Sequence, residues 1–201
     1  TLLNGLLALD PLATTLPRAG IVHRLDKDTS GLMLVARTRA CMDVLVGMIA
    51  RREVQREYLA IVHGHWPEGQ VQEIDAPLGR DPRNRLRMAV VDLAHQPGKT
   101  AQTTVTGLVS TQQASLVHCR LHTGRTHQIR VHLAHRGFPL LGDLLYGGQP
   151  MAGLARQALH AFRLSLAHPQ TAEPLSFQAP LPGELLGAMA SLGLRYNEKP
   201  V

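Results

Sequence analysis

Two runs, Ala101 to Val109 and Ser115 to Leu121, stand either side of a short polar connection, and this spacing most narrows what the chain can become. β-branched residues enrich the first run. Strands joined by so few residues pair antiparallel, because a parallel partner needs a crossover of a dozen or more residues. Other short apolar runs repeat the theme. Leu32 to Ala36, after Gly31, reads as a buried strand, Tyr58 to Val62 as another, and Leu159 to Leu166 with Pro174 to Gln178 as late strands. A basic loop, Pro77 to Arg87, enters a further strand at Leu86 to Val91. Helical spacing marks Ala40 to Arg52, through Met42, Leu45 and Ile49. It also marks His127 to His135, with Thr126 as N-cap and Gly137 behind it, and Glu184 to Leu192, stopped by Gly193. Strands dominate and neighbours are hairpin-linked. The expectation is an α+β fold with a mixed, mostly antiparallel central sheet flanked by helices and loops.

The chain has 201 residues, 44% of them hydrophobic, enough for one domain with a sizeable core. No apolar run is long enough to cross a membrane as a helix. The start, Thr1-Leu2-Leu3-Asn4, has no basic stretch ahead of its apolar residues and no initiator Met, so it reads as a fragment without a secretory signal. Cys41 and Cys119 are too far apart for a disulfide framework or a paired zinc motif, and are expected as small core residues in a cytoplasmic protein.

Of 21 basic residues 18 are arginine, and the net charge is +6. The arginine fork matches phosphate oxygens, which points to a nucleic-acid partner; charge alone leaves a merely solvated basic surface equally open. With only seven aromatic residues, the chain is ill suited to gripping single strands mainly by base stacking.

Two polar constellations can carry chemistry. The first, His23-Arg24-Leu25-Asp26-Lys27-Asp28-Thr29-Ser30-Gly31, crowds ionisable groups into a loop ahead of an apolar run. Loops at strand ends often present catalytic groups, but the same residues also make an ordinary solvated turn, and from the residues alone the turn is favoured. The second, Leu121 to His132, sets Arg125, Arg130 and several donors around a helix N-terminus, a place that suits an anion or merely a capped surface helix. His122, His127, His132 and His135 lack metal-ligand spacing, since only the last two share a helix face and no HExxH occurs. Thr29-Ser30-Gly31 is no nucleophile elbow, and Gly147-Gly148 no phosphate loop.

Taken together, HRLDKDTSG, REYLAIVHG (56–64), TGRTHQIRVH (123–132), FPLLGDLLYGG (138–148) and LHAFRLSLAHP (159–169) resemble, in order, the motifs of the RluA/RluD family of pseudouridine synthases. The resemblance is closest to the D type, which acts on large-subunit ribosomal RNA, and it runs through nearly the whole chain. It implies a pseudouridine synthase fold over residues 1–201 with an active-site cleft across the sheet, and an N-terminal S4-like RNA-binding domain outside this chain. It implies RNA as partner, and no metal or other cofactor. A monomer is the default expectation.

Residue by residue, the resemblance makes Asp26 the catalytic carboxylate, Tyr58 the active-site tyrosine, Arg125 the basic partner of Asp26 and Ile129 the aliphatic wall of the uracil pocket. His23 and Arg24 join the substrate-binding set. Arg24, Arg80, Arg83, Arg85 and Arg130 are candidates for the RNA backbone. His122 stands where the D type has an acid. The carboxylate has three routes open: attack on C1′ of the ribose, attack on C6 of the base, or help in forming a glycal, which the family favours. Tyr58 is a candidate base for the C5 proton, although a phenol is a poor base near neutral pH. The rival readings are a non-catalytic RNA-binding module, which leaves a lone acid among basic residues unexplained, and a metal-dependent hydrolase built on the histidines.

Overall fold

The structure is a computed structural model and describes residues 1–196. In chain order its elements are α1 (Leu2–Leu9), β1 (Ser30–Gly31), α2 (Arg39–Ala50), β2 (Gln55–His63), β3 (Val71–Asp75), β4 (Leu78–Arg80), β5 (Met88–Val90), β6 (Gln102–Ser110), β7 (Ala114–Leu121), α3 (Gln128–His135), β8 (Leu159–Ala167), β9 (Pro174–Gln178) and α4 (Gly183–Ser191). Seven strands form one sheet in the order β1-β8-β2-β7-β6-β3, with β9 also on β8; β4 and β5 pair separately. Every pairing within these sheets is antiparallel except β1 with β8. The expected hairpin is β6–β7, with Thr103 opposite Leu121. Among the described residues no helix is long and apolar enough to cross a membrane.

The core explains why β2 reads as an unbroken apolar run. Tyr58, Ala60 and Val62 face one cluster with Ile129 and Leu133 of α3. Leu59 and Ile61 face another with Leu185, Ala188 and Met189 of α4. A central strand covered on both faces has no polar side to show, so its alternation disappears.

Three local expectations are corrected. Leu32 to Ala36 is not a strand: after Leu32 N–H bonds Ala161 O, the edge of β8 is taken by β9, which pairs with Arg163 through Ala167. Leu32 and Leu34 instead pack with Met42, Leu45, Leu164 and Leu166 in a third cluster. The strand expected over Leu86 to Val91 is only β5, and the arginine-rich stretch forms the tip of its hairpin with β4. Thr126 does not cap α3; His127 does, in the left-handed region (φ 57°) and without a side-chain cap bond. Helix α1, of which no residue is buried, was not expected from the sequence. Cys119 is a core residue, whereas Cys41 is only half-buried.

Candidate active site

Asp26 sits in a loop that the rest of the chain holds in place. Thr29 N–H closes a turn onto Asp26 O at 3.0 Å, with Asp28 in the left-handed region (φ 68°). Gly31 follows at φ 107°, where an added Cβ would lie 2.1 Å from Ala161 O; only glycine can lay the loop against β8 here. Gln157 Nε2 donates to Lys27 O (2.5 Å), and Arg156 Nη1 donates to Asp28 O (2.7 Å). Arg156 also donates to Ser30 Oγ and pairs with Glu184 of α4. These clamps come from far along the chain, and nothing in their local sequence singles them out.

The carboxylate of Asp26 meets Arg130, not Arg125. Asp26 Oδ2 lies 3.5 Å from Arg130 Nη1. Arg130 in turn donates Nε and Nη2 to the two oxygens of Asp143, at 2.7 and 2.8 Å. This bidentate geometry leaves one edge of the guanidinium for Asp26. Tyr146 lies 5.0 Å from the guanidinium carbon, ring face toward it. Burial disfavours the charge on Arg130, but the two carboxylates outweigh that and raise its pKa.

The expected role of Arg125 is therefore corrected. Arg125 precedes α3, its N–H bonds Gln128 Oε1 (2.9 Å) and its Nε donates to Thr100 O (3.1 Å). Arg130 falls on the first turn of the helix and points inward. Expected among the RNA-backbone arginines, it is only 6% exposed and belongs to the site's interior.

In front of Asp26 opens a cavity of about 390 Å³. Tyr58, Leu25, Leu121, Ile129 and Leu159 give it an apolar lining. Burial pushes the Tyr58 phenol up to about 12; neighbouring Arg56 opposes this and Asp26 adds to it, so the ring is neutral at physiological pH. His23 also lines the cavity, with its Nε2 accepting from Leu34 N–H at 2.8 Å. Burial, with Arg56 nearby, drops its pKa to about 4, against a weaker opposing bond to the Arg24 backbone. His23 is thus a neutral ring tied to the backbone. Arg24 is exposed at the rim. Arg80, Arg83 and Arg85 are exposed on the β4–β5 hairpin, outside the cavity lining.

Buried polar groups brace α3 against the sheet. Gln128 Nε2 donates to Gln102 O and Thr103 Oγ1, while its Oε1 accepts from Thr123 and Arg125. His132 bridges Thr103 and Ala76 O, which gives this histidine a structural place. His122 contacts Thr104 Oγ1 at 2.8 Å. The Tyr146 hydroxyl accepts from Met88 N–H (2.9 Å) and lies 2.7 Å from His127 Nδ1, so the arginine-rich hairpin is anchored to the ring beneath Arg130. No role for Asp143, Tyr146, Gln128 or Arg56 is legible in the local sequence. Each lies inside one of the family-like motifs, and an acid directly after Gly142 in an apolar stretch is the one signal for Asp143.

A family model described as RNA pseudouridylate synthase matches residues 6–135. Ribosomal large subunit pseudouridine synthase D of Neisseria meningitidis serogroup A is 47% identical, over 96% of this chain and 54% of its own length. The protein of that name from Pasteurella multocida is 43% identical, over 98% of this chain and 63% of its own. This chain thus spans between half and two thirds of the length of these curated relatives. Among solved structures, human RNA pseudouridylate synthase domain containing 1 superposes with a TM-score of 0.66 at 31% identity, covering 81% of this chain and 69% of that one. Human RNA pseudouridylate synthase domain containing 4 gives 0.71 at 26% identity, covering 88% and 76%. The matched motifs, the sheet and these likenesses agree: the chain belongs to the RNA pseudouridylate synthase family.

Proposed function

We propose that residues 1–201 are the catalytic domain of a pseudouridine synthase that isomerises uridines in large-subunit ribosomal RNA, with Asp26 as its catalytic carboxylate. One observation carries the reading: a carboxylate faces a cavity large enough for a nucleobase, beside the apolar side chains of Tyr58, Leu25 and Ile129, and is held from behind by an arginine that a second carboxylate fixes. The relatives named for the ribosomal large subunit support the substrate. The enzyme works as a cytoplasmic monomer.

Pseudouridine formation breaks the C1′–N1 bond, turns the uracil and joins C5 to C1′; the C5 proton leaves and N1 takes one up. Substrate and product are isomers, so the balance imports no electron and no group and calls for neither a redox cofactor nor a group donor. The uridine must first leave its stack, at a cost of a few kcal/mol that the pocket has to offset. Tyr58 offers a ring face and Ile129 an apolar wall. With its phenol neutral, Tyr58 serves as a surface for the base more than as a proton acceptor. Arg130 keeps the Asp26 carboxylate aimed while water is excluded, which preorganises it for charge developing at the ribose. Arg24 at the rim, with Arg80, Arg83 and Arg85 on the exposed hairpin, are the arginines offered to phosphates around the target.

Tritium release from ribosomal RNA labelled at uridine C5 tests the reading. The wild-type chain releases tritium, and Asp26→Asn abolishes release while RNA binding survives. Activity of the variant within tenfold of wild type would sink the assignment.

A further inference from the structure

We infer that Arg56 is a phosphate site inside the cavity, taking an oxyanion of the target nucleotide while Tyr58 takes its base. The inference deepens the proposed function and rests on it for the identity of the nucleotide.

Among the described residues, Arg56 is a buried cation with no carboxylate partner. It is 8% exposed, and among the described residues it makes no ion pair or side-chain hydrogen bond; its Nε is fully covered without an acceptor. Among the other arginines withdrawn from solvent, Arg130 has Asp143 and Asp26, Arg163 has Glu57 and Arg156 has Glu184, while the half-buried Arg125 donates to Thr100 O. Guanidinium keeps its proton, so burial without a counter-ion costs stability outright. The titratable groups that act on Arg56 are Tyr58, Arg125 and His23, none of them a carboxylate. A neutral uracil carbonyl would not compensate the charge; an oxyanion would.

The surroundings favour an anion. Arg18, Arg24, Arg52 and Arg125 line the same cavity, and the one acid in the lining is Asp26, already held by Arg130. Such a concentration of one sign focuses a positive field into the cleft. The space is also shaped for the guanidinium. A Cβ added at Gly124 would lie 2.5 Å from Arg56 Nη1 and 3.4 Å from its Cζ, so a glycine lets the fork lie against the backbone. Arg56 and Tyr58 are two residues apart on one face of β2, about 6.7 Å along the strand. That is the scale of the span from a nucleobase to a phosphate of its own nucleotide.

The side-chain Nε–H resonance of Arg56, assigned by its loss in Arg56→Lys, reports on an ion bound at the Nη groups of the same guanidinium. Titration of the wild-type chain with inorganic phosphate and with uridine monophosphate should shift it saturably, whereas uridine should not. No shift with phosphate, or an equal shift with uridine, overturns the inference. This readout does not depend on catalysis: a chain that binds phosphate but releases no tritium from ribosomal RNA would refute the proposed function and leave the phosphate site standing. The second measurement separates binding from scaffolding. Arg56→Gln should keep or raise the melting temperature, because an unpaired buried charge is lost, while KM for RNA rises about tenfold or more. A lowered melting temperature with unchanged KM would make Arg56 structural and also overturn the inference.

Discussion

Arg130 and Arg56 are buried to nearly the same degree, 6% and 8% exposed, beside the same cavity. Arg130 lies behind Asp26 with two carboxylates and the Tyr146 ring around it. Arg56 lies in the cavity wall with no carboxylate. Where the chain supplies its own counter-ions, the geometry is set before any substrate arrives. Where it supplies none, the wall carries an uncompensated charge that a ligand can satisfy. Natural proteins break the rule of paired buried charges mainly at functional sites, and the arginine behind Asp26 and the arginine in the cavity wall divide along that line.

The largest effect is expected at Asp143. Asp143→Ala leaves Arg130 buried without its bidentate partner and should lower stability by about 3–5 kcal/mol, read from urea unfolding. A loss below about 1 kcal/mol would mean that solvent or Asp26 alone suffices to hold the guanidinium. Next in size is the pair Arg130→Met and Arg125→Met. Loss of the group that aims Asp26 should cut kcat about a hundredfold or more, as removal of one preorganised charge partner does elsewhere, and Arg125→Met should cut it far less. Equal kcat losses in the two variants would restore Arg125 to the pairing role that the sequence suggested.

The smallest expected effect concerns His23, a neutral ring on the Arg56 side. Its folded pKa, about 4, lies below the ordinary 6.5. Protons therefore bind the unfolded chain more tightly, so the stabilisation is complete above about pH 6.5 and is lost as pH falls toward about 4. At pH 5 the loss is about 2 kcal/mol relative to neutral pH. His23→Asn should flatten this part of the stability profile; an unchanged slope would place the acid sensitivity elsewhere.

Much of the fold was legible from local pattern. The β6–β7 hairpin, β8, β9 and the helices α2 and α4 lie close to where spacing and turn residues put them. The failures share a cause. Leu32 to Ala36 has the composition of a strand, but strands need a free edge, and β9 occupies it. Thr126 has the chemistry of a cap, but the chain turns through a left-handed His127 instead.

The sequence by itself determined the residue types that matter: the first aspartate of HRLDKDTSG, a tyrosine and a neighbouring arginine at alternate positions of a buried strand, an arginine cluster, and the order of motifs that marks the family. Tertiary structure decided the pairings. Whether Asp26 meets Arg125 or Arg130 depends on where α3 begins and which way its first turn faces. Whether an arginine is a scaffold or an open site depends on whether a carboxylate from a distant segment, such as Asp143, reaches it. Local pattern reflects backbone propensity and burial, which are short-range. Charge pairing is settled by a few ångströms between segments far apart in the chain, and only the packed sheet and helices set that distance.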